Sequence, residues 1–217
     1  MKPVSLYFIL LAPLFLSWQS VDVKTTHISK LVIDSKKTYS LTEGDSLANF
    51  VIDTLIMKDR SQLFFRNKKG ASLTVNHAII GKNCVFAGND SKNNGTNLEL
   101  SINFKEFGSL FINVSGEDSK ISNRNFDNGN GGKVNLKYLS TGKKPQLSNK
   151  KLPHYLSIEN NAGGLTVNPQ NDIDIVFQQM RNGSRGRPLG NLPNGRVYSG
   201  NMGNRGTTSI KAVSSFN

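Results

Sequence analysis

Few residues in this chain combine the type and the spacing that chemistry requires. The acids fall mostly singly; Glu117-Asp118 and Asp172-x-Asp174 are the close groups. In an extended segment Asp172 and Asp174, which flank Ile173, share an outward face. A calcium site or an acid/base pair would use that arrangement, though solvated surfaces use it more often. His27, His77 and His154 stand apart without the partners of a metal or triad motif, so no metal site and no cofactor is expected. Cys84 lies in the apolar run Asn83-Cys84-Val85-Phe86 with no base nearby, which reads as a buried thiol rather than a nucleophile. One cysteine excludes an intrachain disulfide framework and a cysteine-rich zinc module. Gly-x-Ser-x-Gly, His-Glu-x-x-His and phosphate-binding glycine loops do not occur, and no catalytic residue is assigned.

Charge is the stronger signal. The 217 residues carry a formal net charge of +12, and it is unevenly spread. After Ser119 there are 14 Lys and Arg against Asp127, Glu159, Asp172 and Asp174, a net +10, and no acid follows Asp174. Such asymmetry suits a polyanion, whether acidic polysaccharide, lipopolysaccharide, anionic membrane or nucleic acid; the alternative is solvation of an exported protein. The anion-binding candidates are Lys143, Lys144, Lys150, Lys151, Arg181, Arg185, Arg187, Arg196 and Arg205. Phe126, Tyr138, Tyr155 and Tyr198 are too dispersed among them for a base-stacking platform, which argues against nucleic acid.

The N-terminus bears on compartment. Lys2 precedes an apolar run from Val4 to Leu16, interrupted only by Ser5 and Pro13. It is shorter than the roughly 20 residues a membrane span needs, so residues 1–20 are expected to be an export signal, the alternative being an uncleaved anchor. No cysteine near this boundary would take a lipid. A secreted, periplasmic or cell-surface location follows, with no permanent membrane span after cleavage. Asn89, Asn94, Asn113 and Asn182 open Asn-x-Ser/Thr sites, which matter only where secreted proteins are glycosylated.

The elements that must position these residues are short strands. Leu31–Ile33, Phe50–Met57, Leu63–Phe65, Leu73–Val75, Ala78–Ile80 and Cys84–Phe86 are apolar runs between polar corners. Leu98, Leu100, Ile102 and Phe104 alternate with polar residues; so do Leu110, Ile112 and Val114, and Val134, Leu136 and Tyr138. Leu165–Val167 and Ile173–Phe177 are further strand candidates. Period two with turn residues between is the signature of half-buried strands, and helical periodicity is almost missing. Asn-Gly hairpin turns flanked by strands on both sides are scarce, and Asn recurs beside apolar residues, where it can stack and take left-handed backbone at corners. The expected fold is all-β, a parallel β-solenoid of short rungs, with a small antiparallel sandwich as the alternative. It occupies residues 21–180. Residues 181–217 are expected to form an extended, Gly-rich, partly disordered tail. Gly200, Gly203 and Gly206 there keep the three-residue period of polyproline II packing, and breaks at Gly190 and Gly195 exclude collagen.

Two resemblances bear on this. Ile80-Gly81-Lys82-Asn83-Cys84-Val85 is similar to one hexapeptide of the left-handed β-helix acyltransferases, but those enzymes stack many copies and no convincing second copy follows. Ala78–Cys84, Asn94-Gly95-Thr96-Asn97-Leu98 and Phe107–Gly116 together resemble secreted bacterial β-helix surface proteins with Gly- and Asn-rich segments. That resemblance covers mainly residues 51–116 and implies a surface role without catalytic residues. The gap in Gly from Glu117 to Asn128 departs from it. The expected function is an exported, non-enzymatic, adhesin-like protein that binds anionic glycan or cell envelope through its basic half. The alternative is a polysaccharide lyase or hydrolase on the same scaffold.

Overall fold

The computed structural model describes residues 25–43, 46–119, 126–165, 168, 170–171, 173–174, 177–178, 181 and 200–216. They form eleven strands: β1 (Thr25–Ile33), β2 (Thr38–Leu41), β3 (Leu47–Met57), β4 (Gln62–Arg66), β5 (Gly70–Ile80), β6 (Cys84–Asn89), β7 (Asn97–Phe107), β8 (Ser109–Asn113), β9 (Val134–Leu139), β10 (Tyr155–Glu159) and β11 (Thr208–Val213). Odd strands build one sheet in the order β1-β3-β5-β7-β9-β11 and even strands a second in the order β10-β8-β6-β4-β2. All neighbours pair in parallel. This is the β-solenoid expected from the runs of short strands. Each coil has two sheets, whereas the hexapeptide acyltransferases build triangular coils.

Stacking in register explains the alternation. Phe50, Leu73, Leu100, Leu136 and Ile210 make one inward column of the odd sheet, and Leu63, Phe86, Ile112 and Ile158 one of the even sheet. Most of these side chains are fully buried, and Phe65 packs between Phe50 and Phe86 at ring distances of 6.3 and 6.4 Å. Each large side chain removed from water contributes about 1.5–3 kcal/mol, so a thin but continuous apolar column suffices to hold successive coils together. Leu73–Val75 and Ala78–Ile80, which read as separate runs, belong to the single strand β5; a register irregularity between Val75 and Ala78 interrupts the pattern.

The corner from odd to even sheet is tight. Lys36, Arg60 and Asn83 occupy equivalent positions there with φ of 61°, 62° and 55°, and backbone bonds such as Lys58 N to Ile33 O and Gly81 N to Met57 O continue the ladder around the bend. Asn67 and Asn93 take left-handed backbone at the other corner, the role that asparagine's short polar side chain permits.

That second corner grows along the chain. Thr25, Asn49, Ser72, Glu99, Asn135 and Ser209 stack in one column, so the coil lengthens from 24 and 23 residues to 27, 36 and 74, the last also holding the 140–154 loop at the first corner. Glycine segments absorb much of the added length at this corner. Gly129 N donates to Glu117 O and Gly132 N to Val114 O; Gly203 N donates to Gly163 O and Gly206 N to Asn160 O. In both pairs the contact moves three residues along each segment, the period of a polyproline II helix. The glycines face backbone: a Cβ on Gly129 would lie 1.7 Å from Asn93 O, and one on Gly206 2.0 Å from Gly132 O. Asparagines zip the outside, with Asn94 Oδ1 accepting from Asn130 N at 2.9 Å and Asn130 Oδ1 from Asn204 N at 2.7 Å.

Two expectations need correction. The described residues within 170–181 are helical, including Ile173 and Asp174, where a strand was expected. Asn168 accepts from the backbone N–H of Gln170 through Oδ1 and of Asn171 through its carbonyl, and Gln170 Nε2 reaches Asp174 Oδ1 one turn on; this local capping outweighs the β-branched composition. Residues 208–213, inside the span expected to be a tail, form β11, because Ile210 fits the inward column on Leu136. The expected export signal lies outside the described residues.

Candidate functional site

The outer face of the even sheet keeps the in–out alternation but carries apolar residues at outward positions. β4, β6 and β8 place Phe64, Val85 and Phe111 outward, between the buried pairs Leu63/Phe65, Cys84/Phe86 and Leu110/Ile112. Register then puts Val85, Phe111 and Ser157 side by side on successive coils, and Ser109 beside Tyr155. Neighbouring strands lie about 4.8 Å apart, so these residues form a short outward ladder along the solenoid axis. Asn83 N donates to Ser109 Oγ at 2.7 Å, fixing that hydroxyl at the edge.

A loop borders this ladder. Residues 140–154 connect β9 to β10 and bring Lys150 to the border of an open cleft of about 350 Å³ on this face. Phe111 and Tyr155 supply its aromatic floor; Asn83, Ser109 and Ser157 supply polar edges, and Glu159 the one carboxylate among the lining residues. An apolar floor with a few fixed polar groups is the usual composition of a small-ligand site. An aromatic floor of this kind offers a stacking surface, and the amide and hydroxyl groups at its edge can hydrogen-bond. A second, smaller cleft of about 220 Å³ lies at the asparagine-zipped corner among Lys69, Asp90, Asn94 and Asn130.

The candidate anion-binding residues divide between places. Lys143, Lys144, Lys150 and Lys151 are exposed on the 140–154 loop, and Lys150 alone of them lines the cleft. Arg205 is exposed in the glycine segment of the opposite corner, and Arg181 is exposed in the helical stretch. Arg185, Arg187 and Arg196 lie outside the described residues, as does Asp172. Asp174 accepts from Gln170 on the helix and is not on a strand face. Among the described residues no group of three or more His, Cys, Asp and Glu could hold a metal ion.

Sequence reasoning missed Val85, Phe111, Tyr155 and Ser157. The available signal was Phe111, an aromatic residue out of phase in an otherwise alternating strand. No protein family, no curated protein and no solved structure matches the chain.

Proposed function

We propose that the chain is an exported, non-enzymatic solenoid that binds anionic polysaccharide of a cell envelope in the cleft beside Lys150. The observation that carries this reading is the meeting of Lys150 with Phe111 and Tyr155 in one cleft, where Glu159 is the one carboxylate among the lining residues. Stacking on the floor supplies affinity for a sugar ring, and the Lys150 ammonium selects a carboxylated or sulfated unit. The test is retention on an immobilised acidic polysaccharide. Wild type is retained at low salt and released as salt rises, since ammonium–anion contacts are screened within about 10 Å at 0.1 M; Phe111→Ala and Lys150→Gln each weaken binding by about tenfold. Retention that both variants keep in full would reject the site.

Glu159 favours a second reading, cleavage of the same polysaccharide. Product release that is lost in Glu159→Gln would make the cleft an active site, although hydrolysis by a carboxylate pair needs a second acid beside it.

A further inference from the structure

The 140–154 loop carries more than Lys150, its one residue that lines the cleft. Its tip is built around Gln146, whose Oε1 accepts from Ser148 N at 3.0 Å and Asn149 N at 2.9 Å, while Nε2 donates to Asn149 O at 2.7 Å and to Leu152 O at 3.5 Å. Backbone bonds from Gln146 N to His154 O and from Leu156 N to Gln146 O tie this hub to the start of β10. The loop is therefore shaped from within. Its two apolar tip residues are not used to pack it: Leu147 and Leu152 are 57% and 55% exposed. The Gln146 side chain, bonded to Leu152 O, brings the two leucines to one end of the loop. Between them in sequence stand Lys150 and Lys151, with Lys143 and Lys144 at the loop's foot, and the nearest acids in sequence are Asp127 and Glu159.

Single exposed leucines are ordinary, but two on a rigid, wholly cationic tip meet both demands of one kind of surface. An anionic bilayer takes apolar side chains into the boundary between headgroups and acyl chains, and its negative surface potential attracts nearby ammonium groups. A polysaccharide would satisfy the lysines and leave both leucines in water. We propose that the tip of the 140–154 loop docks peripherally on an anionic phospholipid bilayer, with Leu147 and Leu152 entering the interface and Lys150 and Lys151 against lipid phosphates. This goes beyond the reading of the cleft and shares only Lys150 with it.

The test is co-sedimentation of the full chain with vesicles of phosphatidylcholine and phosphatidylglycerol, about three to one, and with phosphatidylcholine alone. The expected result is binding to the mixed vesicles only, reduced by about tenfold or more in Leu147→Ser/Leu152→Ser and likewise in Lys150→Gln/Lys151→Gln. The leucine variant keeps its retention on acidic polysaccharide, and its β circular dichroism reports an intact fold should that retention be missing in wild type as well. Failure of wild type to bind the mixed vesicles at low salt, equal binding to neutral vesicles, or unchanged binding by the leucine variant would each overturn the proposal. The last outcome would mark the lysines as a site for soluble polyanions.

Discussion

Cys84 and Phe111 sit on neighbouring strands of one sheet and differ in which way they point. Cys84 faces the core, with Sγ 3.3 Å from Lys58 O and 3.7 Å from Ser61 Oγ, and burial raises its pKa above the ordinary thiol range while the Ser61 hydrogen bond opposes that shift. A raised folded pKa means that the native state holds its proton after the unfolded thiol has lost it. The resulting stability is complete below the unfolded pKa of about 8.5 and is lost as pH rises through the folded value. Wild type should therefore lose stability above about pH 8.5 more steeply than Cys84→Ala in denaturant titrations. The native thiol should also be alkylated at least about a hundredfold more slowly than in denaturant; equal rates would place the thiol outside the core. Phe111 has the opposite address. It is half-buried, so its truncation should cost ligand binding and about 1 kcal/mol of stability, less than removal of a fully buried phenylalanine such as Phe86.

At the level of elements, the glycine corner makes the sharpest demand. A Cβ on Gly132 would lie 2.1 Å from Thr96 O, and one on Gly203 1.9 Å from Gly129 O. Those contacts are to backbone, which cannot rotate aside. Gly132→Ala should destabilise the fold by about 3 kcal/mol, whereas Gly200→Ala, with nothing within 4 Å, should change little. Paired thermal unfolding measures the contrast, and equal effects would show that the segments do not pack closely. The same corner shows where sequence reading reached and where it stopped. Leu98 to Phe104 and Val134 to Tyr138 announced their strands because period two is a local property. Gly200, Gly203 and Gly206 show the threefold period, but the segments against which Gly203 and Gly206 pack, at Gly163, Gly129 and Gly132, are remote in sequence, so an extended tail is the natural expectation. β2, only four residues long, carries too few apolar residues to stand out, and Asn168 overrode Ile173 by capping a helix. The cleft was half legible: Lys150 through charge, its floor hidden because only the register between β8 and β10 sets Phe111 next to Ser157 and Ser109 next to Tyr155.

Across the whole molecule, a regular body carries its distinguishing parts as insertions at the corners. The early coils repeat at 24 and 23 residues with short bends; the later coils bear the 140–154 loop at one corner and the glycine segments at the other. In the proposed reading the stack positions and the insertions bind, a division common where loops are mounted on a repetitive scaffold. Part of the back half's charge of +10 lies on these insertions, with Lys143, Lys144, Lys150 and Lys151 on the loop and Arg205 at the opposite corner, while Lys137 and Lys211 lie on strands. The most direct test of the cleft is to map backbone amide shifts while an acidic oligosaccharide is titrated into the labelled protein. The account predicts saturable shifts clustered at Val85, Phe111, Tyr155, Ser157 and Lys150, diminished in Phe111→Ala. Shifts confined to Arg205 and the asparagine-zipped corner, or none at all at low salt, would contradict it.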